Sequence, residues 1–480
     1  MVNQHWQPSA RDDQTEPKDP YYVAYIIHFL LGAGYLVPWN SFITAVDYFQ
    51  YLYPAKHISK VFSVAYMVAA MTVLFILTCW SSFFKMKLPA LKTRMNLGYA
   101  LFVLVLLVAP ITDWVDHRDE FGRGSNFAFV VLVSTVAVTG FAEGLTGGSL
   151  VGATGKLPGR YMQAVVAGNA SAGVLVCMLR IITKASLPRS RKGLRTSTHI
   201  YFFTSTLIEL LCIIFFNLLH RIPTIQHYMT EPTQTSHLDD HPPKTELRRP
   251  ETLLVLKKLR WLAVSMVTIY VVTLSIFPGY LSENVNSTFF GDWYPVLLIT
   301  AFNIGDFLGK CLTALYVLKR SRWVVWGCIG RVVFFPLFMG CIFGPNWLRK
   351  EVPVVLLTLL LGVSNGYLTS VLMIVAPKFV AVEESNISGI VMSLFLAIGG
   401  CLGFSVYNSI MLVLQSRLRL EDDNQHRLVL QWSFFQACSS LQSSATVTTK
   451  PVLKSLLKRL SYRQFPSVLK NNSEKTNGAT

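Results

Sequence analysis

The sequence predicts an all-α polytopic membrane protein of eleven transmembrane helices, divided six and five. Three observations carry that expectation. Of its 480 residues, 52% are hydrophobic and only 14% charged, with a mean hydropathy of +0.43. That balance excludes an ordinary soluble enzyme. Apolar runs of about 18 or more residues, each long enough to cross a bilayer as a helix, fall at 22–45, 60–83, 95–112, 126–154, 162–184, 199–219, 259–280, 294–318, 323–344, 352–376 and 387–414. One long segment rich in Pro, His, Thr and charge, 220–258, separates the sixth run from the seventh. Backbone exposed to lipid must satisfy its own hydrogen bonds, so every run is read as a helix.

The organisation that follows is a cytosolic segment over 1–21, a six-helix bundle over 22–219, a cytosolic central loop over 220–258, a five-helix bundle over 259–414 and a polar, basic tail over 415–480 with no assigned role. The formal charge of +17 would suggest nucleic acid in a soluble protein. Here the basic residues lie mostly in loops and the tail, so lipid headgroups and topology account for them and no nucleic-acid partner is expected. Placing the N-terminus in the cytosol puts the larger share of loop lysines and arginines inside, as the loop-charge rule requires. Lys184, Arg189, Arg191, Lys192 and Arg195 dissent, because they fall outside in that orientation. The glycosylation pattern Asn286-Ser287-Thr288 falls outside and supports it, while Asn386-Ile387-Ser388 falls inside.

The first 21 residues lack the basic-then-apolar pattern of a cleaved signal, so the first span is expected to serve as its own insertion signal. Seven cysteines fall in the spans and Cys438 in the tail, with no disulfide framework and no zinc-type pair. Neither cofactor nor metal is expected. With no retention or peroxisomal signal, the membrane is read as plasma or vacuolar.

The most informative stretch is Asn303-Ile-Gly-Asp306-Phe-Leu-Gly-Lys310 in the eighth run. A carboxylate and an ammonium deep in a span are costly unless paired or facing water. Asn303, Asp306 and Lys310 project from one face of a helix, because they are spaced three and four apart. The bland reading is an ion pair that holds the eighth helix against the ninth or tenth. Polar residues elsewhere weigh against it: Trp39-Asn40 after Pro38 in the first span, Glu143 and Ser149 in the fourth, Asn169 and Ser171 in the fifth, Gly362-Val-Ser-Asn365-Gly366-Tyr-Leu-Thr-Ser370 in the tenth. Interhelical hydrogen bonds in lipid average only about 0.6 kcal/mol, so a set of them is a poor stabilising device and a good cavity lining.

Trp39 offers a stacking face, and Asn40 an amide that both donates and accepts, which suits a heterocycle or a sugar hydroxyl. Packing of Trp39 on a neighbouring helix is equally compatible with its position. Glycines at 140, 144, 148 and 152 in the fourth span, and Ala164, Gly168 and Ala172 in the fifth, form rows for close helix contact. Glu143 beside that row is an intramembrane carboxylate, a functional candidate by default. Arg180 near the end of the fifth span can snorkel. Arg331 in the ninth needs a partner, and Pro278-Gly279 marks a hinge or a stop. A phosphate loop is excluded because Gly155-Lys156 lacks the upstream frame. An intramembrane aspartyl protease needs two acids, and its Gly-x-Gly-Asp pattern fails at Asn303. No charged ring or repeated filter indicates a channel. Transport along a shared water-filled path is the simpler reading of the polar set, with a major-facilitator-type carrier of a small polar or cationic solute as the alternative and the protease as the less favoured one.

Taken together, Pro38-Trp39-Asn40-Ser-Phe-Ile-Thr-Ala, Gly148 to Pro158, Phe302 to Lys310, and Arg349-Lys-Glu-Val-Pro with Gly362 to Ser370 resemble the equilibrative nucleoside transporter family, the plant branch in particular, over about residues 20–405. The resemblance implies a 6+5 arrangement like the major facilitator fold and nucleosides moved by alternating access between the bundles. It also implies Trp39, Asn40, Asn303, Asp306 and Lys310 as substrate contacts, the acid and the base meeting the ribose hydroxyls. A carboxylate that accepts from two vicinal hydroxyls is a sound sugar detector. Lys310 stands where the family often has arginine, which loses the planar bidentate fork. Gly147 stands where many members present a glutamine to the base. Asn169 replaces an acid found in relatives that move organic cations. Glu143 lies near an acid common in plant relatives and is the candidate for proton coupling, since a buried carboxylate can load and release a proton during the cycle.

Overall fold

The computed structural model describes residues 19–84, 88–116, 124–188, 190–230, 252–277, 287, 289–318 and 320–418. The N-terminal eighteen residues, most of the central loop, the tail beyond 418, Pro278-Gly279 and the ends of the Asn286–Thr288 sequon lie outside them.

Eleven described helices are long and apolar enough to cross a membrane. They are α1 (Val23–Thr44), α2 (Ile58–Trp80), α3 (Leu91–Val115), α4 (Asn126–Thr154), α5 (Gly159–Ser186), α6 (Lys192–Leu219), α7 (Thr252–Ile276), α8 (Tyr294–Leu315), α9 (Ser321–Cys341), α10 (Glu351–Phe379) and α11 (Val382–Ile410). No strand occurs among the described residues. Two stretches of the expected central loop are helical: Pro223–Thr230, and the first turns of α7 from Thr252. Lys257, Lys258 and Arg260 interrupt the apolar run there and hide those turns from a hydropathy scan.

Small residues set the helix pairing, because they let backbones approach closely enough for dispersion to hold them in lipid. The α4 row backs onto α2: a Cβ at Gly144 would lie 2.7 Å from the Ala70 carbonyl, and one at Gly148 2.7 Å from Leu74. Gly168 of α5 instead packs on Phe29 and Ala33 of α1. The two rows thus serve different partners rather than each other. Spacing marks a close contact but does not name the helix across it.

A third small-residue interface joins α8 to α10. A Cβ at Gly305 would meet the Leu359 carbonyl, one at Gly309 the Val363 carbonyl, one at Gly362 the Phe302 carbonyl and one at Gly366 the Asp306 carbonyl. The glycines of the Asn303–Lys310 stretch and those of the tenth-span polar patch therefore form one seam.

α1 is broken. It runs Val23–Gly34, turns through Tyr35 and resumes at Val37–Thr44, with Pro38 in the first turn of the second piece. Proline brings no N–H to the Gly34 carbonyl one turn back, so the break sits where the chemistry places it. α9 is also interrupted, by a tight turn at Arg331–Val333.

The core differs at the two ends of the molecule. Where α4 ends and α11 begins, Leu150 and Val151 share one buried cluster with Leu259, Leu262, Ile374 and Val391, drawn from both halves of the chain. A Cβ at Gly389 would lie 2.7 Å from the Val151 carbonyl, so α11 is pressed onto α4 there. At the opposite end, Phe42, Phe62 and Phe202 cluster with Tyr48 and Phe49 of a short helix, Val46–Leu52, that links α1 to α2, all within the first half of the chain. The halves are sealed at the α4–α11 end.

Candidate functional site

Asp306 and Lys310 lie on the seam face of α8, 7% and 4% exposed. Lys310 Nζ is 2.9 Å from Asp306 Oδ2. The seam brings α10 close enough for Asn365 Nδ2 to donate to Asp306 Oδ1 at 2.7 Å. Asn365 Oδ1 in turn accepts from Thr273 of α7 at 2.8 Å, and Thr273 Oγ1 also accepts from Arg331 at 2.7 Å. Arg331 donates further to Ser364 and to the Leu361 carbonyl. The partners this buried cation needed are therefore neutral oxygens.

From Lys310 the network crosses to the first bundle. Lys310 Nζ donates to Asn169 Oδ1 of α5 at 3.1 Å, and Asn169 Nδ2 donates to the Tyr35 hydroxyl at the α1 break at 2.5 Å. Gln163 of α5 donates to the Lys310 carbonyl at 3.4 Å and accepts from Tyr25 of α1 at 2.5 Å. Asn303 meets the same helix further along: its Nδ2 donates to Cys177 Sγ at 3.3 Å, and Gly173 leaves room for its Oδ1. The eighth-span polar stripe thus faces α5 and α10 together.

The other sequence candidates lie in the first bundle. Trp39 stacks on Tyr66 of α2, ring centroids 3.7 Å apart and planes 8° from parallel, so one of its faces is occupied. Asn40 Nδ2 is buried with no partner. Among the described residues no hydrogen bond joins Trp39 or Asn40 to Asp306 or Lys310. Glu143 Oε2 is buried and unpartnered, and its charge would act on the Tyr35 hydroxyl. The Tyr35 ring fills the space before Gly147, where a Cβ would lie 3.2 Å from it.

Other polar residues prove structural. Ser149 accepts from Arg94 at 2.8 Å, Ser171 donates to the Gly168 carbonyl at 2.6 Å, and Arg180 binds Asp47 rather than reaching for an interface alone. Two of the dissenting basic residues are engaged as well: Arg195 with Asp113 at 2.6 Å and Lys184 over the Trp293 ring at 5.0 Å. Tyr35, Gln163 and Tyr25 were not singled out from sequence. Their one signal is a polar group in a hydrophobic span, near the start of the helix for Tyr25 and Gln163 and at the α1 break for Tyr35.

Eleven helices around a buried ion pair bonded to both halves define a membrane transporter of the major-facilitator-like class. The proton:xylose symporter XylE has this fold, with a TM-score of 0.55 at 11% identity over 82% of this chain and 88% of that one. The family model described as "Nucleoside transporter" matches residues 133–410. Equilibrative nucleotide transporter 8 of Arabidopsis thaliana is 48% identical over 81% of this chain and 95% of its own length. Equilibrative nucleoside transporter 4 of Homo sapiens is 30% identical over 82% and 84%. The chain belongs to the equilibrative nucleoside transporter family, on its plant side, and is not an enzyme.

Proposed function

We propose that this chain carries purine and pyrimidine nucleosides across a plasma or vacuolar membrane by alternating access, between a six-helix bundle over 22–219 and a five-helix bundle over 259–414. The observation that carries the reading is the Asp306–Lys310 pair, buried yet hydrogen-bonded to α10 on one side and α5 on the other. A carboxylate held in place by Asn365 and Lys310 can accept from the vicinal hydroxyls of a ribose, and the Lys310 ammonium can donate to them. Asn303 lines the same face of α8, and the unpaired Nδ2 of Asn40 and the Trp39 ring serve the base.

Relatives are named for nucleotides as well as nucleosides. A phosphate needs an uncommitted cation, and Lys310 is already neutralised by Asp306. Arg331 has no acidic partner among the described residues, but its terminal nitrogens already donate to Thr273, Ser364 and the Leu361 carbonyl, which favours the uncharged nucleoside.

The energetics suit alternation. The α8–α10 seam is glycine-on-carbonyl contact along two turns, whereas the direct side-chain link from the ion pair to α5 is the Lys310–Asn169 bond. A net contribution of about 1 kcal/mol per such bond makes this polar link cheap to break, beside the Asn303–Cys177 and Gln163–Lys310 bonds and the apolar cluster that also join the halves. With the N-terminus cytosolic, the sealed α4–α11 end faces the cytosol. Glu143, an intramembrane carboxylate whose Oε2 has no hydrogen-bond partner, is the candidate for coupling a proton to the cycle.

Uptake of labelled uridine and adenosine into reconstituted vesicles, with and without a pH gradient, tests substrate and coupling together. Competition by nucleosides but not by free sugars, nucleobases or amines is expected. Competition by sugars or amines alone would assign the site to another small polar or cationic solute.

A further inference from the structure

α6 carries Ser205, Glu209 and Cys212 at i, i+4 and i+7, one face of a helix. The outer two touch α1. Ser205 Oγ meets Ser41 Oγ at 2.5 Å. Cys212 Sγ donates to the Leu30 carbonyl at 3.4 Å and lies against Gly34, where an added Cβ would strike the sulfur. Glu209 stands between them, opposite the break between Gly34 and Val37. That is where Pro38 leaves the Gly34 carbonyl without its helical donor.

Glu209 is fully buried, and neither of its carboxyl oxygens has a hydrogen-bond partner. The groups that face it are the Tyr99 phenol of α3, whose hydroxyl is committed to the Leu31 carbonyl at 3.0 Å, and the Cys212 thiol of its own helix. Beyond Tyr99 lies Tyr35 of α1. The charged groups that other elements bring to α6, Arg180 of α5 and Asp113 of α3, stand beside Tyr201, Arg195 and His199. Those residues precede Glu209 by about two turns or more. An ionised carboxylate in this place would be an uncompensated buried charge, which folds avoid.

We propose that Glu209 is a proton-binding site that reads the bend of α1: a neutral acid while α6 packs on the break, a carboxylate once α1 moves off and water enters. The step is carboxylate plus one hydronium ion from the aqueous phase giving the neutral acid and water, and its reverse on ionisation. A proton that binds one packing better than the other must shift the balance between them, and the packing must shift proton affinity by the same factor. The site is separate from Glu143 on α4 and requires only that α1 moves, whatever the solute.

Two readouts without substrate test it on purified full-length protein in lipid. Infrared difference spectra of natural chain minus Glu209→Gln should show a protonated-carboxyl band at neutral pH, lost on alkalinisation. Alkylation of Cys212, read by mass spectrometry as its ratio to the same rate in Glu209→Gln, should rise several-fold from mild acid to mild alkali, beyond the thiol's own pH dependence. Carboxylate bands alone, or a flat ratio, would overturn the proposal. Should Glu209→Gln fail to accumulate, Glu209→Asp replaces it, and the band must shift in position; an unshifted band also overturns it. Failed nucleoside uptake would leave both readouts standing.

Discussion

Lys310 and Asn169 join the two halves of the molecule through one hydrogen bond of 3.1 Å. The same ammonium is paired with Asp306 one turn earlier on its own helix, 2.9 Å away. On the proposed function, a group that serves at once as counter-ion within α8 and as donor to α5 would feel both the substrate and the separation of the bundles. The two readings of Asp306 and Lys310, structural pair and substrate site, are therefore compatible in geometry and differ in what a substitution does.

Lys310→Arg keeps the charge and adds a planar fork. It should change the KM for nucleosides more than it changes protein abundance, measured by uptake kinetics beside surface quantification. Lys310→Met leaves a buried carboxylate with Asn365 as its remaining partner, a loss of about 3–5 kcal/mol. It should remove both transport and much of the folded protein.

Asn169→Leu removes the bonds to Lys310 and Tyr35 while filling similar space. Interhelical hydrogen bonds contribute about 0.6 kcal/mol on average, so thermal stability should barely move. Uptake should nevertheless fall roughly tenfold, as expected where about 1.4 kcal/mol is lost from one state of the cycle. A large fall in Tm with unchanged uptake per folded molecule would place Asn169 in the scaffold instead.

Gly366→Val would drive a side chain into the Asp306 carbonyl across the seam. Abundance should collapse, with no rescue by added substrate. Gly330→Ala, where an added Cβ meets nothing within 4 Å, is the matched control and should accumulate normally.

Much of the site was legible in sequence because its cost shows. Asp306, Lys310, Asn303 and Asn365 are polar groups in apolar spans, and their spacing put each set on one face. The eleven spans were legible for the same reason, hydropathy over length. Pairing was not. Glycines 140 to 152 and Gly168 announce close contact equally well with any helix, and the structure gives α2 to Gly140, Gly144 and Gly148, α11 to Gly152 and α1 to Gly168. Tyr35 was illegible for another reason: a tyrosine beside a proline is ordinary in a membrane helix, and its link to Asn169 depends on where the α1 break points it. Glu209 carries the same sequence signal as Glu143, an acid inside an apolar run, and what the sequence does not show is that its neighbours offer it no hydrogen bond.

Glu143→Gln should sharply reduce the stimulation of uptake by an imposed external-acid gradient, because the amide keeps the shape and the neutral state but cannot exchange a proton. Uptake at a fixed alkaline pH should persist. Undiminished acid stimulation in this variant, measured in vesicles with an imposed gradient, would remove Glu143 from the coupling step.

The central claim is that the Asp306 carboxylate receives the two vicinal hydroxyls of a ribose. The most direct measurement is competition of labelled uridine uptake by unlabelled uridine and by its dideoxy analogue, which lacks both hydroxyls, in the natural chain and in Asp306→Asn. The natural chain should prefer uridine strongly, and the variant should lose most of that preference while still moving some substrate. An equal preference in both chains would contradict the assignment and return the pair to a purely structural role.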